Sequence, residues 1–134
     1  MRILSDEHRD QVLYTMGWLV NNEVKQARRN QLSAQKLEKW AADFYVTHEA
    51  NCVDALRPAM RLHLALIGST ANVDDYTRAK IHPQMEAALA NLRTVATGDP
   101  EDFHEGLQEL FTRWERERPK ALADALHQEV LRHV

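Results

Sequence analysis

Between residues 37 and 66 the chain repeats one side of a helix: Leu37, Trp40, Phe44, His48, Cys52, Ala55, Ala59, Leu62, Leu66. Steps of three or four residues put all nine on one face. The spacing predicts a helix from about Leu32 to Ile67, with its stripe in phase for roughly nine turns. A stripe that long must be covered by other helices, which commits the chain to an all-α architecture. Pro58 falls inside the pattern without disturbing its phase. It removes one backbone hydrogen bond and crowds the turn before it. The expected outcome is a kink around Asp54–Pro58, the alternative being two shorter helices that stay in register.

At 134 residues the chain fits one domain, residues 1–134. A chain of this size can bury about 65–70% of its unfolded surface, enough for an independent core. Seventeen alanines and sixteen leucines against four glycines and four prolines favour helix. The net charge is −3, divided as nine Lys/Arg against eight Asp/Glu in residues 1–67 and eight against twelve in residues 68–134. Neither half is a basic patch, so tight nucleic-acid binding is not expected. A single cysteine, Cys52, excludes an intrachain disulfide. No apolar run approaches the ~20 residues of a membrane span, and the N-terminus lacks the apolar core of a signal peptide. These features point to a cytoplasmic chain with no membrane partner.

The other helices follow from caps and stripes. Ser5 reads as a cap with Asp6 and Glu7 in the first turn, ahead of the stripe Val12, Met16, Leu19, Val20, Val24, Ala27. Gly17 interrupts that helix at a cost of about 1 kcal/mol, for which close helix packing beside Trp18 is the expected compensation. Ser33 caps the long helix, and Gly68–Thr70 ends it. Asn72 caps a third helix that carries Asp74, Asp75, Val73 and Tyr76. Pro83 bends that helix or begins another with Met85, Ala88, Leu89, Leu92 and Val95. Gly98 is a terminator, and Asp99-Pro100-Glu101-Asp102 a strong new start. Phe103, Leu107, Leu110, Phe111 and Trp114 then share a face. The run Arg113–Arg118 alternates in sign and reads as a solvated face. Pro119 stops or bends this helix before a last one with Leu122, Ala125 or Leu126, and Val130. With no period-two alternation, no hairpin signal and no repeat, the expectation is a five- or six-helix bundle built on a long kinked central helix, with antiparallel neighbours.

Chemistry-bearing patterns are sparse. His48 and Cys52 are four apart on one face, a workable spacing for two metal ligands, but they share the long stripe and read as core. His82 and Glu86 are also four apart, and read as a capping histidine with a surface acid. No HExxH or paired Glu-x-x-His motif is present. Cys52 has no basic cluster to make it a thiolate. The Ser and Thr residues sit where caps need them, and Asp74 and Asp75 suit a first helical turn. The glycines form no phosphate loop. No catalytic, cofactor-binding or metal-ligating residue is expected, and no small molecule. The aromatics Trp40, Phe44 and Tyr45, with Trp18 opposite, read as core between the first two helices or as a patch for a protein partner. Trp18, Trp40, Tyr45 and Trp114 are the partner-binding candidates.

One stretch also resembles a known family. Gly17-Trp18-Leu19-Val20, Glu23 and Lys25, Leu37-Glu38-Lys39-Trp40-Ala41, Phe44-Tyr45, His48 and Leu56-Arg57-Pro58 look like part of the C-terminal helical region of tailed-phage portal proteins, over about a third of the chain. A complete portal subunit is several times longer, with a clip and a wing before this region. The chain would then be a fragment or a separate small protein. The resemblance implies a place in a ring-shaped oligomer through which DNA passes, located in the virion, and implies no catalytic residue. The near-neutral first half and acidic second half suit a surface that must not hold DNA tightly.

The expected function is therefore a non-enzymatic structural or assembly module, portal-like, acting through protein partners or self-association. The alternative is a small standalone phage or bacterial regulatory protein that binds and modulates another protein. An enzyme would require polar side chains converging in the core, which the stripes do not show.

Overall fold

The computed structural model describes the backbone of residues 2–133 and the side chains of residues 4–133. Four long helices account for nearly all of it: α1 (Arg2–Arg28), α2 (Ala34–Leu66), α3 (Val73–Ala96) and α4 (Phe103–Arg132), with a single 3-10 turn, Pro100–Asp102, before α4. No strand occurs among the described residues. Contacts across the bundle run in opposite chain directions. Glu23 meets His48 while His8 meets His63, and Arg9 meets Asp124 while Arg28 lies over Phe111. Each helix is thus antiparallel to the next, in an up-down-up-down bundle. α1 packs closely on both α4 and α2, and α2 on α3; the α3–α4 seam is lighter.

The expectation of five or six helices is corrected to four, because Pro83 and Pro119 are absorbed instead of breaking or restarting their helices; α2 runs on through Pro58 as a single helix, as its unbroken stripe led one to expect. Pro58, Pro83 and Pro119 lie inside α2, α3 and α4. A proline deprives the carbonyl four residues earlier of its partner. Those carbonyls belong to Asp54, Ala79 and Glu115, all exposed residues on the solvent side of their helices, where water can take over the bond. The stripes that continue past each proline hold the helix together.

Caps fall largely where the residue types require. The Ser33 hydroxyl accepts from the Lys36 amide, the Asn72 carbonyl oxygen from the Asp75 amide, and the Asp99 carboxylate from the Glu101 amide. Gly68, at φ 67°, closes α2. The Ser69 amide reaches the Leu64 carbonyl and the Gly68 amide the Ala65 carbonyl, the paired bonds of a left-handed glycine C-cap. Two expectations fail. Ser5 is buried within α1 and does not cap it. Gly17 supports no close helix approach, since a β-carbon built there would meet nothing within 4 Å.

The core is continuous through the bundle, from Val12, Met16, Val20 and Val24 across Leu56, Met60, Ile81 and Leu92 to Leu107, Phe111 and Leu126. The α2 stripe is rotated from its expected position. Of the nine expected positions, Leu37, His48, Cys52 and Ala59 are buried, joined by Ala41, Tyr45, Val53, Leu56, Met60, His63 and Leu64, whereas Trp40, Phe44, Ala55, Leu62 and Leu66 form a half-covered flank. The aromatic flank stacks on itself, Trp40 on Phe44 at 4.5 Å and Phe44 on His48 at 4.7 Å between ring centroids. No described helix is long and apolar enough to cross a membrane.

Candidate functional site

Two polar centres lie inside the bundle, and neither was expected. In the first, Glu23 of α1 is fully buried, and its two carboxylate oxygens take four donors. Tyr45 Oη donates to Oε2 at 2.6 Å and His48 Nε2 faces Oε1 at 3.1 Å. Arg118 of α4 forks across both, Nη1 to Oε2 at 2.6 Å and Nη2 to Oε1 at 3.0 Å. The guanidinium also lies over the Trp114 ring, 4.8 Å from its centroid. Burial pushes the Glu23 carboxyl up, but the His48 hydrogen bond and the Arg118 charge outweigh it and hold the pKa down at about 2. Burial, then the charge of Glu23, raises the Tyr45 hydroxyl pKa. Cys52 Sγ sits 3.6 Å from His48 Nε2, and burial with the Glu23 charge pushes its thiol up to about 12. A carboxylate whose roughly four acceptor sites are all engaged has little capacity left for another ligand. The cluster ties α1, α2 and α4 together.

The second centre lies near the other end. His8 of α1 and His63 of α2 stack at 5.1 Å, both fully buried. Glu129 of α4 accepts from Tyr76 Oη and Lys80 Nζ and lies 3.4 Å from His63 Nε2. Burial, chiefly, with His63 and His127 nearby, lowers the His8 pKa to about 4, against a smaller opposing effect of the Ala59 backbone. Burial also lowers His63, despite Glu129. Neither ring nitrogen of His8, nor Nδ1 of His63, has a hydrogen-bond partner of good geometry. Among the described residues no group of three or more His, Cys, Asp or Glu side chains is placed to hold a metal.

These centres correct two expectations: polar side chains do converge in the core, and Arg118 is not part of a solvated run. Sequence phase carried the signal. Glu23 falls within the stripe Leu19, Val20, Val24, Ala27; His8 precedes Val12 and Met16 in step; Arg118 follows Phe111 and Trp114. A charge in phase with a buried stripe requires a partner of opposite sign. His82 is also differently placed. It lies within α3, not at a cap, bridging Glu49 (Nδ1, 2.6 Å) and Glu86 (Nε2, 2.7 Å) on the surface. The hydrogen bond to Glu49 is the main cause that raises its pKa.

The structure separates the four aromatic candidates. Tyr45 and Trp114 are buried in the core, so their rings cannot meet a partner in this conformation. Trp40 is half-buried on the α2 flank. Trp18 is 61% exposed, and Tyr14, one turn before it and missed in the sequence, is 79% exposed. Together they form a ridge on α1 with a groove on either side. One groove, about 450 Å³, is lined by Leu13, Gly17, Asn21 and Glu115 beside the two rings. The other, about 390 Å³, runs between Trp18 and α2 past Asn51 and Asp54, with His48 on its floor. A third, between α2 and α3, has apolar walls from Val46, Met85 and Leu89. No family model, curated protein or solved structure matches the chain.

Proposed function

We propose that the chain is a non-enzymatic structural or assembly module, portal-like in role, that works through protein–protein contacts on the solvent face of α1. The observation that carries this reading is the Tyr14–Trp18 ridge. Two large aromatic rings stand one turn apart in solvent, with a helix-interior glycine between them that packs against nothing. Exposed Tyr and Trp are the side chains most concentrated in interface centres. Gly17 costs the helix about 1 kcal/mol relative to alanine, and nothing inside the molecule repays it. Gly17-Trp18-Leu19-Val20 is also the start of the portal-like stretch. The first buried centre supports a non-catalytic role, because Glu23 is saturated with donors and Cys52 is held as a thiol.

The test is light scattering after size exclusion, over a wide concentration range, on the native chain and on Tyr14→Ser/Trp18→Ser. The native chain should gain mass with concentration; the double variant should stay monomeric with an unchanged helical spectrum. A native chain that is monomeric throughout, or association indifferent to the double substitution, would overturn the reading. A monomer would leave the regulatory alternative, in which the same face meets a different protein.

A further inference from the structure

The ridge belongs to a longer pattern. Glu7, Gln11, Tyr14, Trp18, Asn21 and Lys25 follow one another at steps of four and three along α1, and all six are exposed. That spacing is the seam of a coiled coil, here facing water. The chemistry along it reads acid, amide, aromatic, aromatic, amide, base. It is complementary to its own reverse: residue n matches residue 32 − n, so Glu7 answers Lys25, Gln11 answers Asn21 and Tyr14 answers Trp18. Thr15 and Gly17, the small pair beside the centre, obey the same rule. Neither Glu7 nor Lys25 has an ion-pair partner among the described residues.

We infer that the partner of this face is a second copy of the chain, bound by antiparallel pairing of α1 with α1 about a two-fold axis level with residue 16. In that arrangement Tyr14 of each copy stacks on Trp18 of the other. Gln11 meets Asn21, and a Glu7–Lys25 ion pair closes each end, every contact occurring twice as a two-fold interface requires. Gly17 and Thr15 let the two backbones approach. The seam from residue 7 to residue 25 is about 27 Å long. The inference rests on the assembly reading of the same face, and it adds the partner, the direction and the register.

Register is tested by disulfide trapping on the full chain. Gln11→Cys mixed with Asn21→Cys should form an interchain disulfide on mild oxidation, and neither variant should do so with itself. Two copies of residue 11 lie about 15 Å apart along the pair, beyond disulfide reach. Cys52, fully buried, supplies no background. Charge exchange tests the ends. Glu7→Lys and Lys25→Glu should each weaken association by several-fold to about tenfold, and the double exchange Glu7→Lys/Lys25→Glu should restore it.

Self-linking of Gln11→Cys, absence of any link in the mixture, or a double exchange no tighter than the singles would overturn the antiparallel pairing. If association still disappears in Tyr14→Ser/Trp18→Ser, the face stands and only the register falls. If the native chain never associates, both readings fall together.

Discussion

Replacing Glu23 by Gln leaves the Arg118 guanidinium buried beside a neutral amide. Breaking one partner of a buried ion pair costs about 3–5 kcal/mol, so urea unfolding should show a loss of that size. Glu23→Gln/Arg118→Met, which leaves no orphaned charge, should recover much of it. His8 makes the opposite point. Its folded pKa is lowered from 6.5 to about 4, so the fold favours the neutral ring and the unfolded chain binds the proton more readily. Stability is therefore full above pH 6.5 and falls as the pH drops toward 4, by up to about 3 kcal/mol. His8→Phe keeps the stack on His63 and removes the titration. Its melting temperature should exceed that of the native chain by more at pH 5 than at pH 8. Both residues were legible as polar side chains in phase with a buried stripe. Their partners were not, because Arg118 is 95 positions from Glu23 and only the packing of α1 on α4 brings them together.

At the level of helices, the caps at Ser33, Asn72 and Asp99 and the stripes of α1 and α4 could be read directly, since a local hydrogen bond and a local period decide them. The prolines could not. Whether Pro58, Pro83 or Pro119 ends a helix depends on whether the freed carbonyl faces water, and that is set by which side the neighbouring helices cover. The long α2 stripe was found but rotated. Trp40 and Phe44 are apolar enough to claim the centre, yet Ala41 and Tyr45 occupy it because the neighbouring helices meet α2 on that side. Gly17 was misread for the same reason, as a packing glycine where the structure shows open space. Gly17→Ala should raise unfolding free energy in dilute solution by about 1 kcal/mol, at most a few degrees in melting temperature.

For the molecule as a whole, all-α class and antiparallel neighbours were legible, because chain length, helix length and short connectors leave few alternatives. What the bundle shows to others was not, since exposure is a property of the finished surface. A two-fold contact on α1 closes on itself and stops at a dimer. Any larger species must use another face, and the α2–α3 groove, where Val46 is 77% exposed, is the apolar one that remains. Val46→Asp should accordingly abolish species heavier than a dimer in sedimentation velocity while leaving the dimer intact. The buried Cys52 thiol gives the protein an internal reporter of opening. A reagent can reach this fully buried sulfur only when the packing around α2 opens, and a parting of α1 from α2 must also break the His48 and Tyr45 bonds to Glu23. When reclosing outpaces the reagent, the labelling rate of this one atom reports the population of that open state, and the inferred α1–α1 pairing should slow it in proportion to the share of chains paired.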